Sequence, residues 1–242
     1  SEDGIVPKDA IIDLVENHLG TVSGKTLTLG STYLGYLTDG KKAIALMKGW
    51  TVAGVNMPNV TVGTDTTTLT SDTSVTSCIM QVNDTNYKTR LDEVYAGYPN
   101  TTSVFLYGDG TCTNLSSMFN CNTANNPNYN PNYKAKIKEI YFIKGGFTQP
   151  ITLSTAFTGV TSGKNALEYV DFGGNTLDNI GYAFQACIYL KTVDMTGVTL
   201  THTSLHSLFI NCYELEDIIG FEQLDISQIR TWQCTFQNCK KL

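Results

Sequence analysis

A phenylalanine recurs through the second half of this 242-residue chain, and the residues around each copy keep one register. The five copies are Phe119, Phe157, Phe184, Phe209 and Phe236. Four positions before them lie Leu115, Leu153, Ile180, Leu205 and Trp232, and three positions after the last three lie Cys187, Cys212 and Cys239. Because several apolar positions hold one spacing over the five copies, the chain is predicted to contain stacked repeats of roughly 25 residues.

Each repeat combines two kinds of apolar periodicity. In the unit around Phe184, apolar residues run from Leu177 to Cys187 mostly at steps of three, which is typical of one face of a short helix. Val193 and Met195 then alternate with polar residues, as in a strand that buries one face. One such unit cannot bury its own apolar face, so neighbouring units must stack. We therefore predict an α/β solenoid, a right-handed coil with a parallel sheet on one side and short helices on the other.

The repeats divide the chain into three predicted segments. Residues 5–55 are expected to form N-terminal repeat-like or capping units, and residues 56–110 irregular or degenerate repeats. Residues 111–242 are expected to form the full repeats, with an Asn/Pro/Tyr-rich loop inserted at 125–133. This insertion accounts for the long first interval between phenylalanines.

Local signals predict several elements in the first half of the chain. Thr38 as N-cap and Gly49 as a stop predict a helix at 39–48, and residues 7–19 have the pattern of an amphipathic helix. The other predicted elements are strands at 25–29, 50–53 and 103–107 and a helix at 86–97. The threonine-rich residues 55–77 contain few aliphatic side chains and are compatible with a hairpin or with an irregular connection.

Composition narrows the range of partners. The net charge is −6, and the 16 basic residues are scattered, so we expect no nucleic-acid partner, which would require clustered Lys and Arg. No apolar run reaches the roughly 18 residues that a membrane-spanning helix needs. The chain starts at Ser1 without an apolar signal core, which is expected of a mature or trimmed chain. The motif around Cys239 also lacks the polar cap that repeat arrays normally carry.

The repeat resembles that of a known family. The segments Ile180-Gly-Tyr-Ala-Phe-Gln-Ala-Cys-Ile-Tyr-Leu-Lys-Thr-Val-Asp-Met195 and Leu205-His-Ser-Leu-Phe-Ile-Asn-Cys-Tyr-Glu-Leu215 are similar to the repeat of BspA-like leucine-rich-repeat surface proteins of Bacteroides-type bacteria. Leu115-Ser-Ser-Met-Phe-Asn-Cys121 resembles a closely related variant. The sequence departs from the pattern at Val160, where the family has cysteine. The resemblance implies a cell-surface or extracellular location, with a lipid anchor in the precursor as one form of it, adhesion to a host or matrix protein, and no catalytic residues.

The outward strand positions are the candidate binding residues. If Val193 and Met195 point into the core, Thr192 and Asp194 point outward. Aligning the units gives one outward column of Glu139, Tyr169, Thr192 and Asp217 and a second of Tyr141, Asp171, Asp194 and Ile219. We predict that these columns form a binding surface with aromatic and acidic character, with a plain solvated face as the alternative.

Two neighbouring carboxylates in the second column also raise the possibility of catalysis. Asp171 and Asp194 would lie about 5 Å apart on adjacent strands, which is the spacing of the two acids of a retaining glycosidase. Acids on a flat, open sheet, however, have no walls that would raise a carboxyl pKa. We therefore expect this face to bind a ligand without catalysis.

Cysteine and histidine complete the set of residues with reactive chemistry. Cys187, Cys212 and Cys239 share one repeat position, so we expect a buried column of small side chains, with a disulfide between neighbouring turns as the alternative. The chain has no Cys-x-x-Cys pair, which disfavours zinc. His202 and His206 are four apart, but their repeat positions indicate packed side chains at a turn. No metal or cofactor is expected.

These patterns together predict a non-catalytic cell-surface leucine-rich-repeat protein that binds a host or matrix protein or a glycan. A carbohydrate-active enzyme that uses the acidic column is one alternative, and a deep cleft around two carboxylates would favour it. A structural spacer that projects other domains from the cell is another.

Overall fold

The computed structural model describes residues 6–61, 71–87, 90–120, 136–159 and 166–242. The insertion predicted at 125–133 and the departure from the repeat at Val160 lie outside the described residues. The strands are β1 (Lys25–Leu27), β2 (Trp50–Val52), β3 (Asn59–Val60), β4 (Ser77–Val82), β5 (Ser103–Gly108), β6 (Glu139–Phe142), β7 (Tyr169–Asp171), β8 (Thr176–Leu177), β9 (Thr192–Asp194), β10 (Thr199–Leu200) and β11 (Asp217–Ile219). The helices are α1 (Lys8–Asp13), α2 (Ser31–Leu34), α3 (Asp39–Met47) and α4 (Arg90–Gly97), with a π-helical turn at Leu14–His18 and a 3-10 turn at Phe221–Gln223.

Seven strands form one parallel sheet whose order is β3-β4-β5-β6-β7-β9-β11. From β6 onward, the strands of this sheet bury alternate apolar residues and turn the residues between them to the other face. Val170 and Val193, for example, are partners on adjacent strands, and both are 0% exposed. The structure thus confirms the predicted parallel sheet and the facing of its residues, and it gives the chain an α/β fold.

The predicted short helices are absent from the described part of residues 111–242, where the only helical element is the 3-10 turn. Residues 180–187 instead form consecutive turns, in which the N–H groups of Ala183 and Gln185 donate to the carbonyl three residues earlier, at 3.1 Å in both cases. The alternate N–H groups, of Tyr182 and Phe184, donate to the next unit at 3.1 and 3.0 Å. A helix would use all of these donors internally, so the turn conformation is what allows neighbouring units to bond to each other.

The phenylalanines predicted to stack form a single file. Successive ring centroids of Phe119, Phe157, Phe184, Phe209 and Phe236 are 5.6, 4.9, 5.3 and 5.9 Å apart, and successive planes are within 18° of parallel. Strands β8 and β10 pair in a second, two-stranded parallel sheet. Neighbouring units are therefore bonded at the turns and, where both contribute a strand, also at the main sheet; some are bonded at this smaller sheet as well.

The first part of the chain lies against the outer face of the main sheet. Strands β1 and β2 pair with each other, and α3 packs beside them. Thr38 caps α3 as predicted, accepting from the Lys41 N–H at 3.4 Å, and Gly49 follows the helix with a φ of 85°. A second apolar cluster joins this part of the chain to the sheet through Ile79, Phe105, Tyr107 and Ile143. The predicted boundaries of the N-terminal units stay a prediction.

A buried arginine fixes α4 to the start of the main sheet. Arg90 is 2% exposed, and its guanidinium donates to the carbonyls of Gln81 and Val60, at 3.1 Å in both cases. It also pairs with Glu93 one turn along the helix. Since a buried charge needs such partners, Arg90 ties the helix to two neighbouring strands.

Candidate functional site

The two outward columns lie in the predicted register. Backbone pairing places Glu139, Tyr169, Thr192 and Asp217 side by side, and likewise Tyr141, Asp171, Asp194 and Ile219. The columns continue onto β4 and β5, where sequence analysis placed no site residues. There Ser103 precedes Glu139, and Phe105 precedes Tyr141. The alignment of repeats thus gave the correct neighbours, while their role in binding stays a prediction.

The outer face is not the flat, open surface that the sequence suggested. The N-terminal end of α3 stands against it and encloses a cleft of about 390 Å³. The helix contributes Thr38, Lys41 and Ile44 to the cleft, and the sheet contributes Tyr141, Asp171 and Asp194. The expectation of an unwalled face was wrong because the repeat pattern carries no information about where residues 6–57 pack.

Three aromatic rings run across the strands at this cleft, and two of them, Phe105 and Tyr141, line it. The Tyr141 ring stacks on Phe105, with centroids 4.5 Å apart and planes at 7°, and the Tyr169 ring lies 5.4 Å further along. The Tyr141 hydroxyl donates to Glu139 at 3.2 Å, and the Ser103 hydroxyl donates to the same oxygen at 2.8 Å. Burial raises the pKa of Tyr141, and the Glu139 carboxylate raises it further. Glu139 therefore already serves to position Tyr141.

Asp171 and Asp194 are the acidic pair of the cleft. Asp171 accepts from the Gly173 N–H at 2.7 Å, and Asp194 accepts from the Thr196 N–H at 2.8 Å. Burial raises the pKa of Asp171, and the neighbouring Asp194 charge adds to this effect. The Gly173 N–H and the charge of Lys41 act in the opposite direction. Asp171 thus sits in the kind of enclosed environment that the sequence did not predict.

A cluster of charges closes the opposite side of the cleft. The Glu16 carboxylate, with its side chain 11% exposed, pairs with Lys41 and lies 3.0 Å from the Lys144 Nζ. Burial lowers the pKa of Lys41, and the charge of Lys144 lowers it further, while Asp171 raises it. These contacts fasten the N-terminal segment and α3 to the loop after β6. None of the three was predicted from the sequence, since Glu16 and Lys41 lie outside the repeats and Lys144 follows a repeat strand at a position without a recurring residue.

The predicted site residues fall into two groups. Tyr141, Asp171 and Asp194 line the cleft. Glu139, Tyr169, Thr192 and Asp217 lie on the same face outside it, and among these Asp217 is exposed near the end of the sheet. The cleft and the outer column are therefore adjoining parts of one surface.

The cysteines of the repeat form the predicted column, in which Cys187 and Cys212 are buried and Cys239 is partly exposed. The thiols of Cys187, Cys212 and Cys239 each donate to the phenylalanine carbonyl of the preceding unit, at 3.0, 3.1 and 3.1 Å. They are free thiols, so the disulfide alternative is not what the structure shows. Burial raises the pKa of Cys212. The column therefore belongs to the packing of the core.

The remaining candidates for metal binding are packed at turns. His206 lies edge-on to the Tyr182 ring at 4.7 Å, and the His202 Nδ1 accepts from the Ser204 N–H at 3.2 Å. Within the described ranges, no three acidic, histidine or cysteine side chains gather as a metal site would require.

None of the helices in the described part of the chain combines the length and the apolar character needed to cross a membrane. Comparison of the chain with protein-family models, with curated proteins and with solved structures gave no match.

Proposed function

We propose that this chain is the repeat region of a bacterial cell-surface or extracellular protein of the BspA-like leucine-rich-repeat type, which binds a host or matrix protein or a glycan. In this proposal the chain is a right-handed solenoid, and the outer face of its parallel sheet carries the ligand. Catalysis is not part of the proposed function.

The bonding between units supports the solenoid. Sequential strand order, the single file of phenylalanines and the N–H groups shared between turns all join each unit to its immediate neighbours. Nearest-neighbour bonding of this kind is typical of repeat proteins, which leave their outward positions free to vary.

The observation that carries the binding role is the surface formed by the two columns and the cleft beside them. Tyrosine and carboxylate side chains from three neighbouring strands line up there on rigid backbone, and the cleft gives a ligand an enclosed edge. Binding sites usually combine a preformed concave surface with a few positioned polar groups.

An array of purified matrix proteins and glycans tests this proposal. We expect Tyr169→Ala and Asp194→Ala to reduce retention on the bound ligand at least about tenfold, as loss of central interface residues does. Tyr189→Ala is the control, because this exposed tyrosine lies outside both columns. Binding that is unchanged in the two column variants, or equally reduced in the control, would contradict the proposed surface.

The acidic pair of the cleft favours a second candidate, a retaining glycosidase. Asp171 and Asp194 are register partners on adjacent strands, and burial raises the pKa of Asp171, as a general acid requires. Adjacent strands are about 4.8 Å apart, close to the separation of about 5 Å of retaining acids.

Hydrolysis assays separate the two candidates. The glycosidase predicts turnover of aryl glycosides or oligosaccharides that Asp171→Asn and Asp194→Asn both abolish. If a chain that still binds its ligand leaves all substrates intact after long incubation, the glycosidase is contradicted and the binding function is favoured.

A further inference from the structure

The cleft between α3 and the sheet has the chemistry of a small-ligand site. Its volume of about 390 Å³ falls in the range of roughly 300–1,000 Å³ typical of ligand pockets. Part of its lining comes from the loops that follow three parallel strands, represented by Lys144, Gly173 and Thr196. The site therefore lies beyond the carboxyl ends of the strands, where ligands of open α/β sheets commonly bind.

The charges in and behind the cleft nearly cancel. Lys41 and Lys144 face the carboxylates of Glu16, Asp171 and Asp194, so five charges leave an excess of one negative charge. A ligand with a single strong charge would meet both signs at close range, which gives it little net attraction. This balance favours a neutral ligand.

The cleft also offers both hydrogen-bond donors and acceptors. Within the described chain, Asp171 and Asp194 each accept one hydrogen bond, at Oδ1, which leaves their second oxygens to accept from a ligand. The Lys144 ammonium, with its side chain 59% exposed, can donate from the opposite side. Ile44 and Tyr141 add apolar surface between these polar groups.

A neutral ligand with neighbouring hydroxyl groups and apolar C–H faces matches this lining. Two adjacent carboxylates can each accept from one of two neighbouring hydroxyls, and the ammonium can donate to a further oxygen. We infer that the cleft binds a single neutral sugar residue of a glycan through Asp171, Asp194 and Lys144. This inference rests on the proposed binding function and names its ligand class.

Nuclear magnetic resonance of the labelled chain tests the inference with methyl glycosides of neutral hexoses and N-acetylhexosamines. We expect at least one glycoside to shift the amide signals of Gly173 and Thr196, since these groups bond to the two carboxylates. Asp171→Asn and Asp194→Asn should weaken this binding about tenfold to a hundredfold, because each removes a hydrogen bond to a charged group.

Asp225→Asn is the matched control. Asp225 is exposed and accepts from the Ser227 N–H at 2.9 Å, so it has the same local turn as Asp194 but lies outside the cleft. This variant should bind the glycoside as the unsubstituted chain does, and a cooperative thermal unfolding transition in each of the three variants would show that they are folded.

Two results overturn the inference, and they are distinct from failure of the binding function. If no glycoside shifts the Gly173 and Thr196 signals while a matrix protein or a lysine- and arginine-rich peptide binds with dependence on Asp171, the ligand is a protein. If a glycoside binds equally well to both cleft variants, sugar binding occurs at another surface.

Discussion

Replacing Phe209 with alanine removes one of the three inner rings of the phenylalanine stack, and we expect a large loss of stability. Phe209 is 0% exposed, and its ring lies 5.3 Å from Phe184 and 5.9 Å from Phe236. Truncation of a buried phenylalanine costs about 3–5 kcal/mol, and each lost aromatic pair about 0.5–1.5 kcal/mol beyond the buried area. Because the range for truncation already contains the lost ring contacts, the two pairs place Phe209→Ala at its upper end, and the free energy of unfolding should fall by about 4–5 kcal/mol.

Substitution of Phe209 by leucine distinguishes the stability lost with the ring contacts from the stability lost with the buried volume. Phe209→Leu keeps much of the apolar volume but loses both ring contacts, so we expect a cost of about 1–3 kcal/mol. Urea denaturation followed by circular dichroism measures both variants. A loss below about 1 kcal/mol for Phe209→Ala would refute the packing described for this ring.

Pairs of leucine substitutions then test whether coupling runs between immediate neighbours. Phe184→Leu with Phe209→Leu should show an interaction energy of about 0.5–1.5 kcal/mol, because the two rings touch. Phe119→Leu with Phe209→Leu should be additive within about 0.5 kcal/mol, since two rings separate them. Equal coupling in the two pairs would be inconsistent with a single file of rings.

Three further outcomes follow from polar groups that are buried or partly buried. Arg90→Met should lower the free energy of unfolding by about 3–5 kcal/mol in urea denaturation, whereas Arg230→Met, at an exposed position, should change it by less than about 0.5 kcal/mol; similar costs would contradict the role of the buried guanidinium. Because the folded-state pKa of Asp171 is raised, its protonated form stabilises the fold at low pH, and that contribution is lost as pH rises through the folded pKa. Asp171→Asn should therefore increase the free energy of unfolding at neutral pH but not below the ordinary carboxyl pKa, and a gain that is independent of pH would contradict the burial of this charge. In native protein, Cys212 should resist iodoacetamide while the partly exposed Cys234 reacts, with both labelled in urea, as mass spectrometry of the peptides would show; rapid native labelling of Cys212 would contradict its burial.

Repeat spacing was enough to predict the core of the second half of the chain. The alternation around Val193 gave the correct facing of β9, and the shared register of Phe184 and Phe209 gave the correct ring neighbours. Both features depend only on periodicity, which a sequence displays directly.

The helices predicted in the repeats failed for a physical reason. Steps of three between Leu177, Ile180 and Ala183 are satisfied by a helix and also by consecutive turns with bonds to the third residue back. A helix and a run of consecutive turns differ in the acceptors of alternate N–H groups. In the turns, these acceptors are carbonyls of the next unit, which the spacing within one unit does not reveal. Left-handed backbone at Tyr182 and Ala186, both with a φ of 58°, belongs to the turn conformation.

The sequence of β5 contains a signal that the outer face of the sheet is covered, which the repeat spacing does not show. In β5, the consecutive apolar residues Val104, Phe105, Leu106 and Tyr107 predict burial on both faces, as in strands covered on both sides. That pattern indicates that another part of the chain packs on this face, but it does not say which part. The cleft itself depends on the contact of Lys41 and its helix with the sheet, and no local pattern encodes that contact.

Hydrogen exchange at individual amides most directly tests the claim that each unit is bonded to the next through alternate N–H groups. The Phe184 and Phe209 amides donate to Leu208 and Thr235 of the following units at 3.0 and 2.9 Å, whereas the Phe236 amide has no acceptor among the described residues. We expect strong protection at Phe184 and Phe209 and fast exchange at Phe236. Fast exchange at Phe184 and Phe209 in folded protein would contradict the stacking of units on which the fold and the binding surface depend.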